Sequence, residues 1–548
     1  MYKTTLRATV VAGILTATAL IASPLTAVAD EAPTYSVNPK VEKSAPDLRD
    51  DIRTNPAVEK AIKKMAASGR LNGASTGNHK IYVSAVNATT TTSDDDNGDI
   101  SQSAVIAAIA QVSAFWNEQS NGAVSFSFGG YETYTPNSST CSPDGLWNNR
   151  QLYAFGGAFN RDAWVGTGKH LLVLTKENAA CEQGAGFGTL GGDGGVIFTA
   201  SGLGAETGLP VLFHEYGHNL GLGHADAAIC RTKSVDGRSS TFKNVPYTGS
   251  DVESTNVACA SEEYGDLLDI MGYTVPNAAP HASALERLYL GWTSAVSTKY
   301  ESAPTGSKGS STSLIALNQS SGVRLIAVTD PRTGERYYVE FRTNAGRDAT
   351  ALEWDKASSG SAWISREYSG GYAALFGAGS ASAGAVRVLK FIGKPNGPAE
   401  STVLAVSPFD ATGKARLLNL PAGKSFTSVG GGTNIYVSQA AGNAATVKVT
   451  LQKYASTTTF SMKSKVKRSK AKATVTVKVV GGSKPAGTIT AYNKGKKLKT
   501  YTISTSKNGK ITVTLPKLKK GKAKITFKYN GNSKIASDVS PAKTVKVK

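Results

Sequence analysis

The chain is poor in cysteine, in histidine and, over its last stretch, in acid. Four cysteines in 548 residues exclude a small scaffold held together by disulfides in place of a core. A hydrophobic content of 40% instead allows sizeable buried cores, and the length suits about three domains. After the first thirty residues no apolar run is long enough to cross a bilayer, so no membrane span is expected. From Ala455 to Lys548 there is one acid, Asp538, against 24 Lys and Arg, a net +23 where the whole chain carries +21. Residues 1–454 therefore sum to −2, and the basicity belongs to one terminal segment.

What is present falls into segments. Residues 1–29 read as a signal peptide: a basic start at Lys3 and Arg7, an apolar stretch from Val10 to Ile21, and Ala27-Val28-Ala29 as a cleavage site,. This leads us to expect a secreted, extracellular protein. Residues 30–75 are polar, with a short helical pattern from Asn55 to Ser68, and read as a pro-segment or linker. Residues 76–300 mix both periodicities. Lys80–Val86, Ala123–Gly129, His170–Thr175 and Gly194–Thr199 read as strands, the last as an edge strand, and Ser101–Gln119 has apolar residues at helical spacing,. A long loop holding Cys141 is expected after Gly129, and a short helix over His281–Gly291. The Asp-rich run around Asp94, Asp95 and Asp96 lacks the spacing of a calcium loop and reads as a solvated turn,.

A Ser/Gly/Pro-rich stretch, Lys299–Ser313, marks a boundary,. Short alternating strands then fill 314–454, which read as a β-sandwich companion domain. In 455–548 strands recur about every twelve residues, with lysines alternating against Val, Ile and Leu, the rhythm of an Ig-like sandwich. Such a charge suits an anionic cell-wall polymer or acidic glycan. It also suits a plain spacer whose lysines block edge-to-edge pairing. Sparse aromatics disfavour nucleic acid.

The chemistry concentrates in His-Glu-Tyr-Gly-His-Asn-Leu-Gly-Leu-Gly-His, His214 to His224. His214 and His218, four apart, project from one face of a helix. Gly221 can end that helix in a left-handed turn, which lets His224 swing back and complete three nitrogens. Three protein ligands with one open position describe a catalytic Zn2+ site. Glu215 is placed to take a proton from an activated water. Asp226 and Asp269 are the nearest acids by sequence to orient the imidazoles,.

In an oxidising compartment the cysteines are expected to pair. Cys141, Cys181, Cys230 and Cys259 allow three pairings. Cys141–Cys181 with Cys230–Cys259 is favoured, because the second bond closes the polar loop after His224, for about 3 kcal/mol through the unfolded state.

His214–His224 is similar to the HExxHxxGxxH consensus of the metzincin clan of zinc endopeptidases. Met271, in Asp269-Ile270-Met271-Gly272-Tyr273, fits the clan's methionine turn, and Glu263–Tyr273 and His281–Trp292 resemble gametolysin-type and related bacterial secreted members. The resemblance implies that Met271 forms a hydrophobic floor under the histidines. It also implies that the phenol of Tyr273 assists at the metal, and that the strand before the zinc helix, Val196–Ala200, pairs with an extended substrate.

The expected fold class is thus α+β: a metzincin-like protease domain, with a mixed sheet and an active-site helix, followed by all-β sandwich domains. The expected function is a secreted zinc endopeptidase acting on protein or peptide substrates. The alternative is a non-catalytic wall-binding protein with a metalloprotease-like domain.

Overall fold

The computed structural model describes residues 75–87, 100–137, 143–157, 164, 166–175, 186–189, 193–199, 203, 208–230, 236–237, 243–245, 259–262, 264–266, 268–272, 278–292, 295–351, 384–392, 401–404 and 419–548. All of them belong to one unit, Val41–Lys548. The signal-peptide stretch, the helical pattern at Asn55–Ser68, the aspartate run, Cys141, Cys181, the side chain of Cys230 and Tyr273 lie outside the described residues.

The first sheet is built from β1 (Gly77–Val86), β2 (Val124–Tyr134), β3 (Lys169–Thr175), β4 (Gly186–Gly188) and β5 (Gly195–Thr199), in the order β2-β1-β3-β5-β4. All neighbours are parallel except β4, which runs antiparallel to β5. β5 is therefore flanked on both sides. The expectation of an edge strand at Gly194–Thr199 is corrected: the edge is β4. Its Gly-Phe-Gly sequence has no apolar alternation that would announce a strand.

Helix α1 (Gln102–Ser120) covers one face of this sheet. Ser101 caps it by accepting the Ala104 N–H, and Asn121 ends it in a left-handed conformation,. Val105, Ile109, Val112 and Trp116 all face the core, as their spacing requires. On the other face lies α2 (Pro143–Gly157), where a long loop was expected. Its Gly, Asn and Asp content hides a helix, and the burial of Leu146, Trp147 and Ala154 against Leu171, Val173, Val196 and Phe198 supplies what propensity does not,.

Two further α-helices among the described residues are α3 (Gly208–Leu220), which carries His214 and His218, and α4 (Ala284–Tyr289). Ser283 and Glu286 form a reciprocal cap at the start of α4,, so the helix is shorter than the expected His281–Gly291.

The second sheet joins two distant stretches of chain. Strands β6 (Ala225–Cys230), β7 (Lys243–Val245) and β8 (Cys259–Glu262) follow the third histidine. They continue into β14 (Ser401–Leu404), β13 (Ala385–Phe391), β12 (Arg336–Arg342), β11 (Leu325–Thr329) and β9 (Thr298–Glu301), with β15 (Asn419–Leu420) on β13. One apolar core runs from Trp116, Phe213, Tyr216 and Met271 to Leu325, Tyr338 and Leu389. The segment read as a companion domain thus shares both a sheet and a core with the histidine-bearing region. A smaller sheet, β10 (Ser310–Ile315) with β16 (Ser425–Thr427), β17 (Thr433–Ala441) and β18 (Ala444–Leu451), packs its Ile435, Val437, Val447 and Val449 on the far side.

Residues 456–547 form two further sheets over their own core, which includes Val475, Val477, Ile489, Ile525 and Phe527. In the strand Gly521–Tyr529, Ala523, Ile525, Phe527 and Tyr529 are buried while Lys522 and Lys524 are exposed, the alternation of a half-buried strand. Among the described residues no helix is long and apolar enough to cross a membrane.

Candidate metal centre

Gly221 sets the geometry of the site. Its φ of +107° is open to glycine and costly for other residues. The Gly221 N–H reaches the His218 carbonyl at 2.9 Å and the Leu222 N–H reaches the Gly217 carbonyl at 3.0 Å, a Schellman ending for α3. The chain reverses and brings His224 against the helix. Ligand nitrogens of His214, His218 and His224 then lie within 4.8 Å of one another, and all three residues are buried.

The protonation of two rings follows from their partners. His214 Nδ1 lies 2.8 Å from the Ile270 carbonyl and His218 Nδ1 lies 2.9 Å from the Leu222 carbonyl. A carbonyl only accepts, so each Nδ1 carries the hydrogen and each Nε2 keeps its lone pair for a metal. Burial also pushes His214 down to about 4, against a weaker opposing effect of the Ile270 carbonyl, which keeps the ring neutral at ordinary pH. Of the acids expected to orient the rings, Asp269 acts at the methionine turn. Asp226 Oδ2 accepts from Ser261 at 2.8 Å. Asp269 accepts from the Met271 N–H at 2.9 Å and from the Ser283 N–H at 2.8 Å, so it shapes the methionine turn itself.

Glu215 lies next to the first histidine of the cluster. It is buried, its Oε2 has no hydrogen-bond partner among the described residues, and burial raises its carboxyl to about 8. An orphaned buried carboxylate is costly unless something outside the protein satisfies it. A cation with a bound water beside the three imidazoles would do so, and the donor set fits Zn2+. Strand β4 passes directly over this carboxylate. A Cβ added at Gly186 would lie 3.1 Å from Glu215 Oε1 and one at Gly188 3.1 Å from Oε2, so two glycines let the edge strand approach the acid.

Met271 packs against α3. A Cβ on Gly217, one residue before His218, would lie 2.3 Å from the Met271 sulfur. The turn is tied to the third ligand's strand by the Ala225 N–H, which donates to the Met271 carbonyl at 2.8 Å.

A charged cluster from the second sheet supports this turn. Arg342 Nε bonds Asp348 at 2.8 Å and its Nη2 bonds the His281 carbonyl at 2.8 Å and also the Leu268 carbonyl. Arg387 bridges Glu340 at 2.9 Å and Asp266. Glu340 accepts the Ala284 N–H at the start of α4 at 2.7 Å. These charges are fully buried. They fix the loop whose Ile270 carbonyl orients His214.

Two features were invisible in the sequence. Tyr264 adopts φ +61°, and its ring lies 3.8 Å, centre to centre, from that of His224. A tyrosine in the left-handed region is strained, and such strain persists where the surroundings impose it. The second is a buried histidine pair. Asn219, next to His218, directs its amide nitrogen to the Thr189 carbonyl at 3.0 Å and its oxygen to His170 Nδ1 at 2.9 Å. His170 Nε2 in turn meets His79 Nδ1 at 2.9 Å. The pair braces α3 against the first sheet.

No curated protein matches this chain. Residues 78–259 match the family model Reprolysin_5, described as metallo-peptidase family M12. The match contains the three histidines and Glu215, stops before Met271, and supports a metzincin-type metalloprotease domain over that part of the chain.

Proposed function

We propose that the protein is a secreted zinc endopeptidase in which Glu215 is the general base. The observation that carries this reading is the buried Glu215 carboxylate, without a hydrogen-bond partner among the described residues, beside three converging imidazoles. His214, His218 and His224 would hold the ion, which when bound supplies Lewis acidity to a water and to the substrate carbonyl. Glu215 accepts a proton from the attacking water and returns it to the leaving amine. An extended peptide adds to the open side of β4, where Gly186 and Gly188 leave backbone groups accessible next to Glu215.

Secretion accords with the leader-like residues 1–29 and with cysteine pairing. Cys230 and Cys259 sit opposite each other in the antiparallel β6–β8 pair, which supports a disulfide between them. We assign residues 455–548, read as Ig-like, to retention on an anionic wall polymer or glycan. The support is the outward-facing lysines on strands such as Gly521–Tyr529.

Casein hydrolysis by the mature protein should be abolished by a chelator, restored by Zn2+, and lost in Glu215→Gln. Full activity in Glu215→Gln would remove Glu215 as the base. Absence of cleavage by any preparation, with retention on anionic walls that weakens as salt rises, would favour the non-catalytic binding reading.

A further inference from the structure

A second group of reactive side chains lies away from the metal centre, on the second sheet. Lys390, on β13, is fully buried and Asp236 nearly so. Lys390 Nζ lies 3.0 Å from Asp236 Oδ1, 3.1 Å from Glu335 Oε2 and 2.8 Å from the Gly237 carbonyl. The Tyr337 ring packs 4.7 Å from the same nitrogen. The other Asp236 oxygen, Oδ2, accepts from the Tyr337 hydroxyl at 2.5 Å and from the Val429 N–H at 2.9 Å. One nucleophilic amine thus faces one carboxyl whose far oxygen is held by two donors, with a second carboxylate within reach of the amine.

We propose that Lys390 and Asp236 become joined by an intramolecular isopeptide bond, with Glu335 as the proton carrier, and that the structure holds the arrangement of the reactants.

The step balances without a co-reactant. The ammonium gives a proton to Glu335, which passes it to Asp236 Oδ1, and the neutral amine attacks Cγ of the resulting carboxylic acid. Charge developing on Oδ2 is stabilised by the Tyr337 hydroxyl and the Val429 N–H, which already point at it. Burial first, and then the neighbouring Asp236 charge, push the Tyr337 phenol upward, so it remains a donor throughout. Glu335 then carries a second proton from the nitrogen to Oδ1, which leaves as water. The C–O bond breaks as the N–C bond forms, and one hydrogen stays on nitrogen, where the Gly237 carbonyl can accept it.

Two physical arguments favour this end state. A buried ammonium and a buried carboxylate are costly to keep out of water, and an amide replaces both with a neutral group that inherits hydrogen bonds already in place. Glu335 is 15% exposed, which gives the released water a route out. The bond would also link residues 154 apart in sequence, tying the loop after His224 to β13. A cross-link over so long a loop restricts the unfolded chain strongly.

The test is tandem mass spectrometry of tryptic digests of the denatured full-length protein. The expected product is a branched peptide uniting Ser234–Arg238 with the segment holding Lys390, one water lighter than its two parts, with no cleavage after Lys390. Lys390→Met should give only linear peptides. Glu335→Gln, shown to be folded by cooperative thermal unfolding, should also be linear and should unfold at a lower temperature than wild type. Wild-type protein that yields the two peptides separately, cleaved after an unmodified Lys390, overturns the proposal. Branching at wild-type extent in Glu335→Gln overturns the role given to Glu335.

Discussion

Two buried polar clusters flank the methionine turn, and they are built on opposite rules. On one side the imidazoles of His214 and His218 bond backbone carbonyls, and Glu215 has no protein partner among the described residues. On the other side Arg342 and Arg387 are satisfied by Glu340, Asp348, Asp266 and two carbonyls. The second cluster is complete as it stands. The first is complete only with something added. Burial alone therefore does not mark a functional group, since both clusters are buried. An unmet electrostatic demand does.

The largest effect should come from the incomplete cluster. Replacing Glu215 by Gln keeps shape and metal ligands but removes the base. We expect peptidase activity to fall about 10²–10⁴-fold with bound zinc unchanged, read by steady-state hydrolysis and metal analysis. Metal loss in this variant would mean that the carboxylate is itself a ligand.

The complete cluster should respond in stability instead. Arg387→Met leaves Asp266 and Glu340 buried without their cation, and breaking such a pair costs about 3–5 kcal/mol. Urea unfolding should show this loss. If the cluster only braces the turn, the folded fraction should still bind zinc.

Between the two lies the contact of Gly217 with Met271. Gly217→Ala places a methyl group against the sulfur and should cost about 1–3 kcal/mol as overpacking. It should also speed zinc loss to a chelator, because the helix and the turn that orients His214 are pushed apart. A stability loss with unchanged zinc release would show that the turn does not position the ligands.

The most gradual effect, spread over a pH range, concerns the histidine brace behind α3. Burial lowers His170 from its usual 6.5 to about 3. The unfolded chain takes up a proton below pH 6.5 while the folded ring stays neutral until about 3. Stability should therefore fall as pH drops through that window, by at most about 1.4 kcal/mol per pH unit. His170→Gln should flatten the slope measured by urea unfolding at stepped pH.

The same comparison explains what the sequence disclosed. The convergence of the three histidines was legible because His214, His218, Gly221 and His224 lie within eleven residues, where helix geometry and one glycine turn decide the outcome. The alternating strands of 455–548 were legible for the same local reason. The ionic cluster was not, because Asp266, Glu340, Arg342, Asp348 and Arg387 meet only through a sheet that joins two distant stretches. Tyr264 is local but offered no signal, since nothing in its neighbours announces a left-handed tyrosine. The edge strand was misplaced because Gly186-Phe187-Gly188 lacks any period. For His214 and His218 the partners on Nδ1 are backbone carbonyls, which no side chain advertises.

The claim that the three imidazoles form a metal site is tested most directly by elemental analysis of the purified mature protein beside His218→Ala and Glu215→Gln. The account predicts one zinc per chain in wild type and in Glu215→Gln, and none in His218→Ala. A wild-type protein that holds no transition metal after exposure to zinc, or a His218→Ala variant that holds as much as wild type, would contradict it.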